Sequence, residues 1–137
     1  MAEHPYITLF HRAHEAFERG DQEAMRDWFA DEFVWHEPGD NPLTGDYVGA
    51  DAVFGLFDRI ARATERRFDT HLEDVLANDR HLVALLTLRA QVGETVIEMP
   101  RVNVYRVRAD GRVVERWGYV GDQVAFDALF SGGSHGA

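Results

Sequence analysis

The chain has 137 residues, 45% of them apolar, and its 14 basic and 24 acidic side chains give a formal net charge of −10. This size and composition predict one soluble globular domain with its own core, whereas the strong negative charge argues against a nucleic-acid partner because it repels phosphate backbones. No apolar run approaches the roughly 18 residues of a membrane span, so no membrane partner is expected, and the polar N-terminus makes the cytoplasm the predicted location.

Three helices are predicted in the N-terminal half of the chain. Over 3–19 an apolar stripe recurs at i, i+4, i+7 and i+11, which is typical of an amphipathic helix. Capping aspartates predict a second helix over 21–30 and a third over 52–67. Between them a short aromatic strand over 31–37 leads into a loop, because two prolines and a glycine oppose both helix and strand.

From residue 68 the apolar period changes to two, which indicates strands separated by tight turns. The strands are predicted over 69–77, 80–93, 95–109 and 112–126. Helices followed by an antiparallel meander give an α+β fold. We expect one domain over 1–130 and a disordered tail over 131–137.

Missing residue types narrow the possible chemistry. All fourteen basic residues are arginine, no Cys is present, and the only serines, Ser131 and Ser134, lie in the glycine-rich tail. These absences exclude Schiff-base and thiol catalysis and disfavour a serine triad, and neither common glycine-rich nucleotide loop occurs. We therefore expect no cofactor, and acid–base chemistry or simple binding remains.

Two segments resemble the SnoaL-like branch of the nuclear transport factor 2-like superfamily. They read F-x-W-H-E-P-G-x-N-P-L-T-G-x-Y-x-G over 33–49 and N-V-Y-R-V-R-A-D-G-R-V-V-E-R-W over 103–117. The resemblance implies a cone in which three N-terminal helices pack on a strongly curved antiparallel sheet around a ligand cavity. It also implies a homodimer through the convex sheet face, where strand alternation places Trp117 and Tyr119. The superfamily contains isomerases, cyclases, dehydratases, epoxide hydrolases and non-catalytic binders, so the fold leaves the function open.

Glu37 is the main catalytic candidate that the resemblance provides. It precedes a proline at the end of the first strand, where ketosteroid isomerases of this superfamily carry the carboxylate that acts as general base. A carboxylate that faces an apolar cavity is desolvated, which favours proton uptake. The alternative is that Glu37 points to solvent or pairs with an arginine.

Other positions depart from the catalytic patterns of these relatives. The isomerase proton donor corresponds to Ala13, and Asn103 stands where those enzymes carry a protonated Asp, so Asn103 is predicted to polarise a substrate. Gly118 replaces the Asp that follows a strand tryptophan in SnoaL-type cyclases, and glycine cannot transfer a proton. His14 is a second acid–base candidate, with a half-buried histidine of no chemical role as its alternative.

The resemblance and the strand alternation also point further side chains into the cavity. Arg101 and Arg116 can either clamp a carboxylate of the ligand or pair with Glu37 in a structural cluster. The predicted ligand-contacting residues are Phe17, Trp35, Phe54, Phe57, Leu86, Leu88, Met99, Arg101, Tyr105, Arg116 and Val120. No metal site is expected, because His36 and Glu37 alternate to opposite faces of their strand.

Three kinds of function are compatible with these features. The first is isomerase- or lyase-type chemistry on a small, mostly apolar ligand, with Glu37 as base. The second is non-catalytic binding in the same pocket. The third is a structural dimer whose cavity is filled by side chains, and a cavity smaller than about 300 Å³ would favour it.

Overall fold

The computed structural model describes residues 3–132 and confirms the α+β class. The helices are α1 Pro5–Glu18, α2 Gln22–Arg26, α3 Ala50–Ala63 and α4 Gln123–Ser131. The strands are β1 Phe29–Glu37, β2 Gly45–Val48, β3 Phe68–Ala77, β4 His81–Val92, β5 Thr95–Val107 and β6 Val113–Val120. One curved sheet contains all six strands in the order β2-β1-β6-β5-β4-β3.

The strand pairing combines the expected meander with one parallel contact. Strands β3 to β6 pair antiparallel with their sequence neighbours, as predicted. Strand β1 instead lies parallel to β6, with Trp35 opposite Arg116 and a register shift between Phe29 and Val34. This pairing brings the end of β1 beside the last strand, which places Glu37 next to side chains from distant parts of the sequence.

Helix α1 covers the concave side of the sheet, and its buried face packs against the core. Pro5 occupies its first turn, and the His4 side chain accepts a hydrogen bond from the backbone N–H of Tyr6, which pre-forms the helix start. Its buried face carries Phe10 and Ala13. The stripe predicted from the sequence is therefore confirmed as the packing face of this helix.

Helices α2 and α3 begin and end at different residues from those predicted. Helix α2 is capped by Asp21 as expected but ends at Arg26, because the chain then enters β1 at Phe29. Helix α3 is capped by Gly49, whose positive φ of 85° suits glycine, rather than by Asp51. Both differences lie at element ends, where local sequence competes with tertiary packing.

Two elements were missed: the short strand β2 and the C-terminal helix α4. The strand predicted over 112–126 ends at Val120, and the Asp122 side chain then accepts a hydrogen bond from the backbone N–H of Ala125 at 3.0 Å to cap α4. The fold therefore has a fourth helix, and the tail predicted from residue 131 begins too early because Ser131 is helical. Residues 133–137 of that tail lie outside the described part.

Helix α4 also anchors the loop that follows β1. The Asp127 carboxylate accepts hydrogen bonds from the Asn41 side chain at 2.7 Å, the backbone N–H of Asp40 at 3.0 Å and Gln123 at 2.9 Å. The two contacts from Asp40 and Asn41 fix the loop after β1 against α4, and the contact from Gln123 within α4 orients the Asp127 carboxylate. Within residues 3–132 no helix is long and apolar enough to span a bilayer; the cytoplasmic location stays a prediction.

Candidate functional site

A small cavity lies between α1, α3 and the concave face of the sheet, and its volume is about 70 Å³. Most of its wall is aromatic or aliphatic. The lining residues are Phe10, Ala13, His14, Phe17, Met25, Trp28, Trp35, Phe57, Phe68, Thr70, Leu86, Arg101, Asn103 and Tyr105. Drug-sized ligands occupy roughly 300–1,000 Å³, and a cavity of ~150 Å³ admits benzene. A volume of about 70 Å³ therefore favours, by itself, the side-chain-filled alternative, and a ligand larger than a few waters requires part of the wall to move.

Most of the residues predicted for the site line this cavity. They are Phe17, Trp35, Phe57, Leu86, Arg101 and Tyr105 from the ligand-contacting set, with His14 and Asn103 from the catalytic set. The cavity wall does not include Phe54, Leu88, Met99, Arg116, Val120 or Glu37. In the structure these six side chains therefore lie outside the cavity wall, and their contact with a ligand stays a prediction.

The unanticipated helix α4 explains part of the difference. Leu88 pairs with Met99 one row beyond the Leu86–Arg101 pair, towards the β4–β5 hairpin. Helix α4 packs against β4, β5 and β6 at this end of the sheet. Leu88 and Met99 are therefore core residues, 0% and 7% exposed, and Val120 packs against the same core.

Phe54 and Arg116 are displaced from the cavity for other reasons. The Phe54 ring turns towards Phe29, 6.0 Å away between centroids, and lies under the guanidinium of Arg26 at 5.2 Å. Arg116 lies behind Trp35, with its Cζ 3.9 Å from the centre of that ring. Trp35 thus separates Arg116 from the cavity.

Glu37 does not face the cavity. Its side chain is 1% exposed and its Oε1 accepts a hydrogen bond from Trp35 Nε1 at 2.9 Å. Arg116 Nη1 lies 3.4 Å from Oε1, and Arg101 Nη2 lies 3.7 Å from Oε2. Of the two possibilities raised by the sequence, this geometry matches the structural ion-pair cluster, since two arginines flank the buried carboxylate, although no hydrogen bond reaches Oε2 from the described residues.

Arg116 is the most constrained member of this cluster. Its side chain is fully buried, Nη2 donates to Asn103 Oδ1 at 2.6 Å and Nη1 donates to the backbone carbonyl of His36 at 3.0 Å. Burial and the neighbouring Arg101 charge lower the pKa of Arg116 to about 10. The group therefore remains cationic at neutral pH and fixes the Asn103 amide through a charge-assisted hydrogen bond.

Gly118 makes room for the Arg116 guanidinium. A Cβ placed at Gly118 would lie 2.5 Å from Arg116 Cζ and would also overlap both terminal nitrogens. The cyclases that this sequence resembles carry an Asp at this position. Here the space beside residue 118 belongs to an arginine from the same strand, so a carboxylate and this arrangement of Arg116 are mutually exclusive.

His14 presents an imidazole to the cavity from α1. Its ring stacks on Phe10 with centroids 5.6 Å apart, and Nε2 lies 3.7 Å from Glu18 Oε2 near the surface. Burial lowers the pKa of His14, and Glu18 opposes that shift only in part. His14 is therefore neutral at pH 7 and can accept a proton from a molecule in the cavity.

His36 occupies the opposite, convex face of the sheet and behaves differently. Nδ1 lies 2.7 Å from Asp46 and Nε2 lies 2.6 Å from Glu115, while the ring stacks on Trp117. Both ring nitrogens face carboxylate oxygens, and this arrangement favours the doubly protonated imidazolium. Burial opposes the charged form, yet hydrogen bonds to Glu115 and Asp46 raise the pKa of His36.

The pKa values of the two histidines are expected to lie on opposite sides of the usual histidine value of 6.5. Because the pKa of His14 is lower in the folded than in the unfolded chain, the unfolded chain takes up this proton first as the pH falls. Acidification through the usual histidine value therefore lowers the free energy of unfolding. The raised pKa of His36 contributes stability below pH 6.5 that is lost as pH rises through the folded-state value. Imidazole NMR signals followed from pH 4.5 to 9, assigned with His14→Gln and His36→Gln, test this order; coincident midpoints would contradict it.

Several cavity residues were not anticipated from the sequence. Phe10 and Ala13 lie on the predicted apolar stripe of α1, and Phe68 and Thr70 share one face of β3 by simple alternation. The signal for these residues was therefore present in the periodicity. In the described part of the chain, no group of three His, Cys, Asp or Glu side chains is placed to hold a metal ion.

Solved structures share this fold at low sequence identity. Bal32a from a soil-derived mobile gene cassette is 25% identical, with a TM-score of 0.85 over 91% of this chain and 95% of that one. A nuclear transport factor 2-like protein of unknown function from Burkholderia pseudomallei is 19% identical, with a TM-score of 0.82 over 94% and 99%. TerC, co-crystallised with polyporic acid, is 17% identical, with a TM-score of 0.81 over 93% and 98%.

Sequence comparison gives the family. No curated protein sequence matches the chain, but the family described as SnoaL-like domain matches residues 10–116. That match spans β1, the helix-covered cavity and the strands that carry Arg101, Asn103 and Arg116. The chain therefore belongs to the SnoaL-like domain family, and it has the fold of nuclear transport factor 2-like proteins.

Proposed function

We propose that this protein binds a small, mostly apolar molecule in the cavity beneath α1. The observation that carries the proposal is the convergence of three polar side chains, those of His14, Arg101 and Asn103, on a mostly aromatic and aliphatic wall. Small-molecule sites combine apolar walls with a few placed polar groups in this way.

The small volume of the cavity limits the ligand or requires the entrance to open. Phe17 is 37% exposed and packs edge-on against Phe57 at 5.3 Å between centroids. Both rings line the cavity, and rotation of an exposed aromatic side chain is fast. We propose that Phe17 is the movable part of the wall, so that a ligand larger than a few waters enters on its displacement.

A filled-cavity variant tests the binding proposal. Ala13 is 2% exposed and contributes to the cavity wall, so Ala13→Leu, or the smaller Ala13→Val, occupies the void and leaves every polar group in place. Butanamide and indole, added in NMR titrations, are expected to shift signals of His14 and Asn103 in the native protein and not in the filled variant. The control is Ala63→Leu, the same change at an exposed helical position.

The experiment uses the whole chain, because residues from most helices and strands form the cavity wall. Absence of binding to the native protein, at millimolar concentrations of both probes, would favour the structural dimer instead. Equal binding by the native and filled variants would place the ligand elsewhere. Either result rejects the proposed function.

Proton transfer is the second candidate function, and His14 rather than Glu37 is its base. A neutral imidazole in the cavity wall supports this assignment. Glu37, which the sequence favoured as base, then positions Arg101 and Arg116. If a turned-over substrate is found, kcat should fall below the His14 pKa and collapse in His14→Gln. A kcat unaffected by His14→Gln would reject this candidate.

We also propose a homodimer through the convex sheet face. Tyr119 is 57% exposed and Val48 is 65% exposed on this face, where Trp117 and Val104 form a neighbouring pair. Apolar side chains gathered on an open sheet face are typical of subunit contacts. Light scattering after size exclusion is expected to give a dimer for the native chain and for Val124→Arg on α4, and a monomer for Tyr119→Arg. A monomeric native chain would reject the proposal.

A further inference from the structure

Arg101 is a buried cation that its protein neighbours do not satisfy. It is 5% exposed, and its Nε has no hydrogen-bond partner among residues 3–132. Its carboxylate neighbour, Glu37, lies 3.7 Å from Nη2, which is beyond ordinary hydrogen-bond distance. Phe68 and Phe126 flank the guanidinium at 6.0 and 5.9 Å, so its surroundings are otherwise apolar.

The charges around Arg101 do not balance. Arg101 and Arg116 carry two positive charges, and Glu37 between them carries one negative charge. Tyr105 adds none, because burial raises its pKa above 10, and His14 across the cavity is neutral because burial lowers its pKa. One positive charge therefore remains uncompensated in a desolvated interior, which is strongly unfavourable without an anion.

The two arginines are not equivalent with respect to the cavity. Arg116 is screened from it by Trp35 and already donates to Asn103 and His36. Arg101 lines the cavity and has donors to spare. Of the lining residues that the structure describes, Arg101 is the one with a formal charge at neutral pH, so the cavity has a single cationic end.

Asn103 supplies a second donor at that end. Its Oδ1 accepts the hydrogen bond from Arg116, which orients the NH₂ group as the donor side of the amide. One N–H interacts with Tyr105, so the other N–H is the donor that remains. Arg101 and Asn103 point from the same face of β5 two residues apart, roughly 6.6 Å along the strand. A planar oxyanion can be held between a guanidinium and an amide at this spacing.

From this geometry we infer that the cavity selects a small monocarboxylate, with the carboxylate on Arg101 and Asn103 and a short apolar chain against the aromatic wall. The inference rests on the proposed function, because it names the ligand class of the same cavity. The carboxylate replaces the missing negative charge and gives Arg101 its hydrogen-bond acceptors. Water could satisfy the donors but could not neutralise the charge.

Paired probes of equal shape test the charge selectivity. Butanoate and hexanoate are titrated against butanamide and hexanamide by NMR, at pH 7.5 and constant ionic strength, with the full-length protein. The native protein is expected to bind each carboxylate about tenfold or more tightly than its amide. Arg101→Gln is expected to abolish this preference, so that each carboxylate binds no more tightly than its amide.

Two further variants make the result specific to Arg101. Arg101→Lys keeps the charge and is expected to keep a preference for carboxylates, smaller because the bidentate geometry is lost. Arg89→Gln removes an exposed arginine that lies 3.9 Å from Glu98 and should leave the preference unchanged. Circular dichroism and thermal unfolding establish that each variant is folded.

The outcomes distinguish failure of the carboxylate inference from failure of the proposed small-molecule binding. Equal affinity for carboxylate and amide in the native protein overturns the inference and leaves small-molecule binding intact. A preference that survives Arg101→Gln also overturns it, because another cation must then be responsible. Failure of all four probes to bind rejects the proposed function and the inference together.

Discussion

Glu37→Gln is expected to destabilise the protein by about 3–5 kcal/mol, the usual cost of removing one partner from a buried ion pair. The substitution keeps the shape of the side chain but removes the charge that lies between Arg101 and Arg116. Two buried guanidinium groups would then face each other without an anion. Urea unfolding monitored by tryptophan fluorescence measures the loss, with Trp35 close to the change.

An exposed glutamate provides the matched control for this experiment. Glu98 is 63% exposed at its side chain and lies 3.9 Å from Arg89, so Glu98→Gln should change stability by less than about 1 kcal/mol. The double variant Glu37→Gln with Arg101→Gln should recover part of the loss of stability. It leaves one uncompensated guanidinium, that of Arg116, whereas Glu37→Gln alone leaves two. A Glu37→Gln protein as stable as the Glu98→Gln protein would contradict the charge cluster described for Glu37.

Gly118→Ala is expected to cost about 2–3 kcal/mol, through overpacking and the loss of hydrogen bonds made by Arg116. The new methyl group would overlap the guanidinium, 2.5 Å from Cζ. A long side chain at the surface would move aside, but Arg116 is fully buried and held by Asn103 and the His36 carbonyl. Its displacement would also release the Asn103 amide at the cavity.

The same substitution in α3 should have the opposite effect. A Cβ at Gly55 meets no atom within 4 Å, and alanine is favoured over glycine in a helix by up to about 1 kcal/mol. Gly55→Ala is therefore expected to raise the thermal midpoint and Gly118→Ala to lower it. If both variants unfold at the native midpoint, the close approach of Arg116 to Gly118 is not a constraint on the fold.

The faces of the strands could be predicted from the sequence, because alternation is a local property of an extended chain. Arg101, Asn103 and Tyr105 were assigned to one face of β5, and all three line the cavity. The face of a residue, however, does not determine its neighbours. The sequence left open whether Glu37 faces the cavity, points to solvent or pairs with an arginine. Its partner Arg116 lies 79 residues away, so the choice between base and ion pair required the tertiary structure.

The C-terminal region shows a different limit of sequence interpretation. Apolar residues over 113–126 alternate closely enough to extend the strand pattern, although β6 ends at Val120. The signal against a continuous strand was Asp122, a favoured cap residue directly before a helix-forming run. Missing α4 shifted the predicted cavity along the sheet, which explains why Leu88 and Met99 were assigned to it.

The parallel pairing of β1 with β6 affects the order in which the protein can fold. Glu37 leaves the ribosome long before Arg116, and the intervening chain contains four strands and α3. We expect β1 to dock last, because its place in the sheet does not exist until β5 and β6 have paired. The cluster that fixes the cationic end of the cavity can therefore form only after β6 has been synthesised.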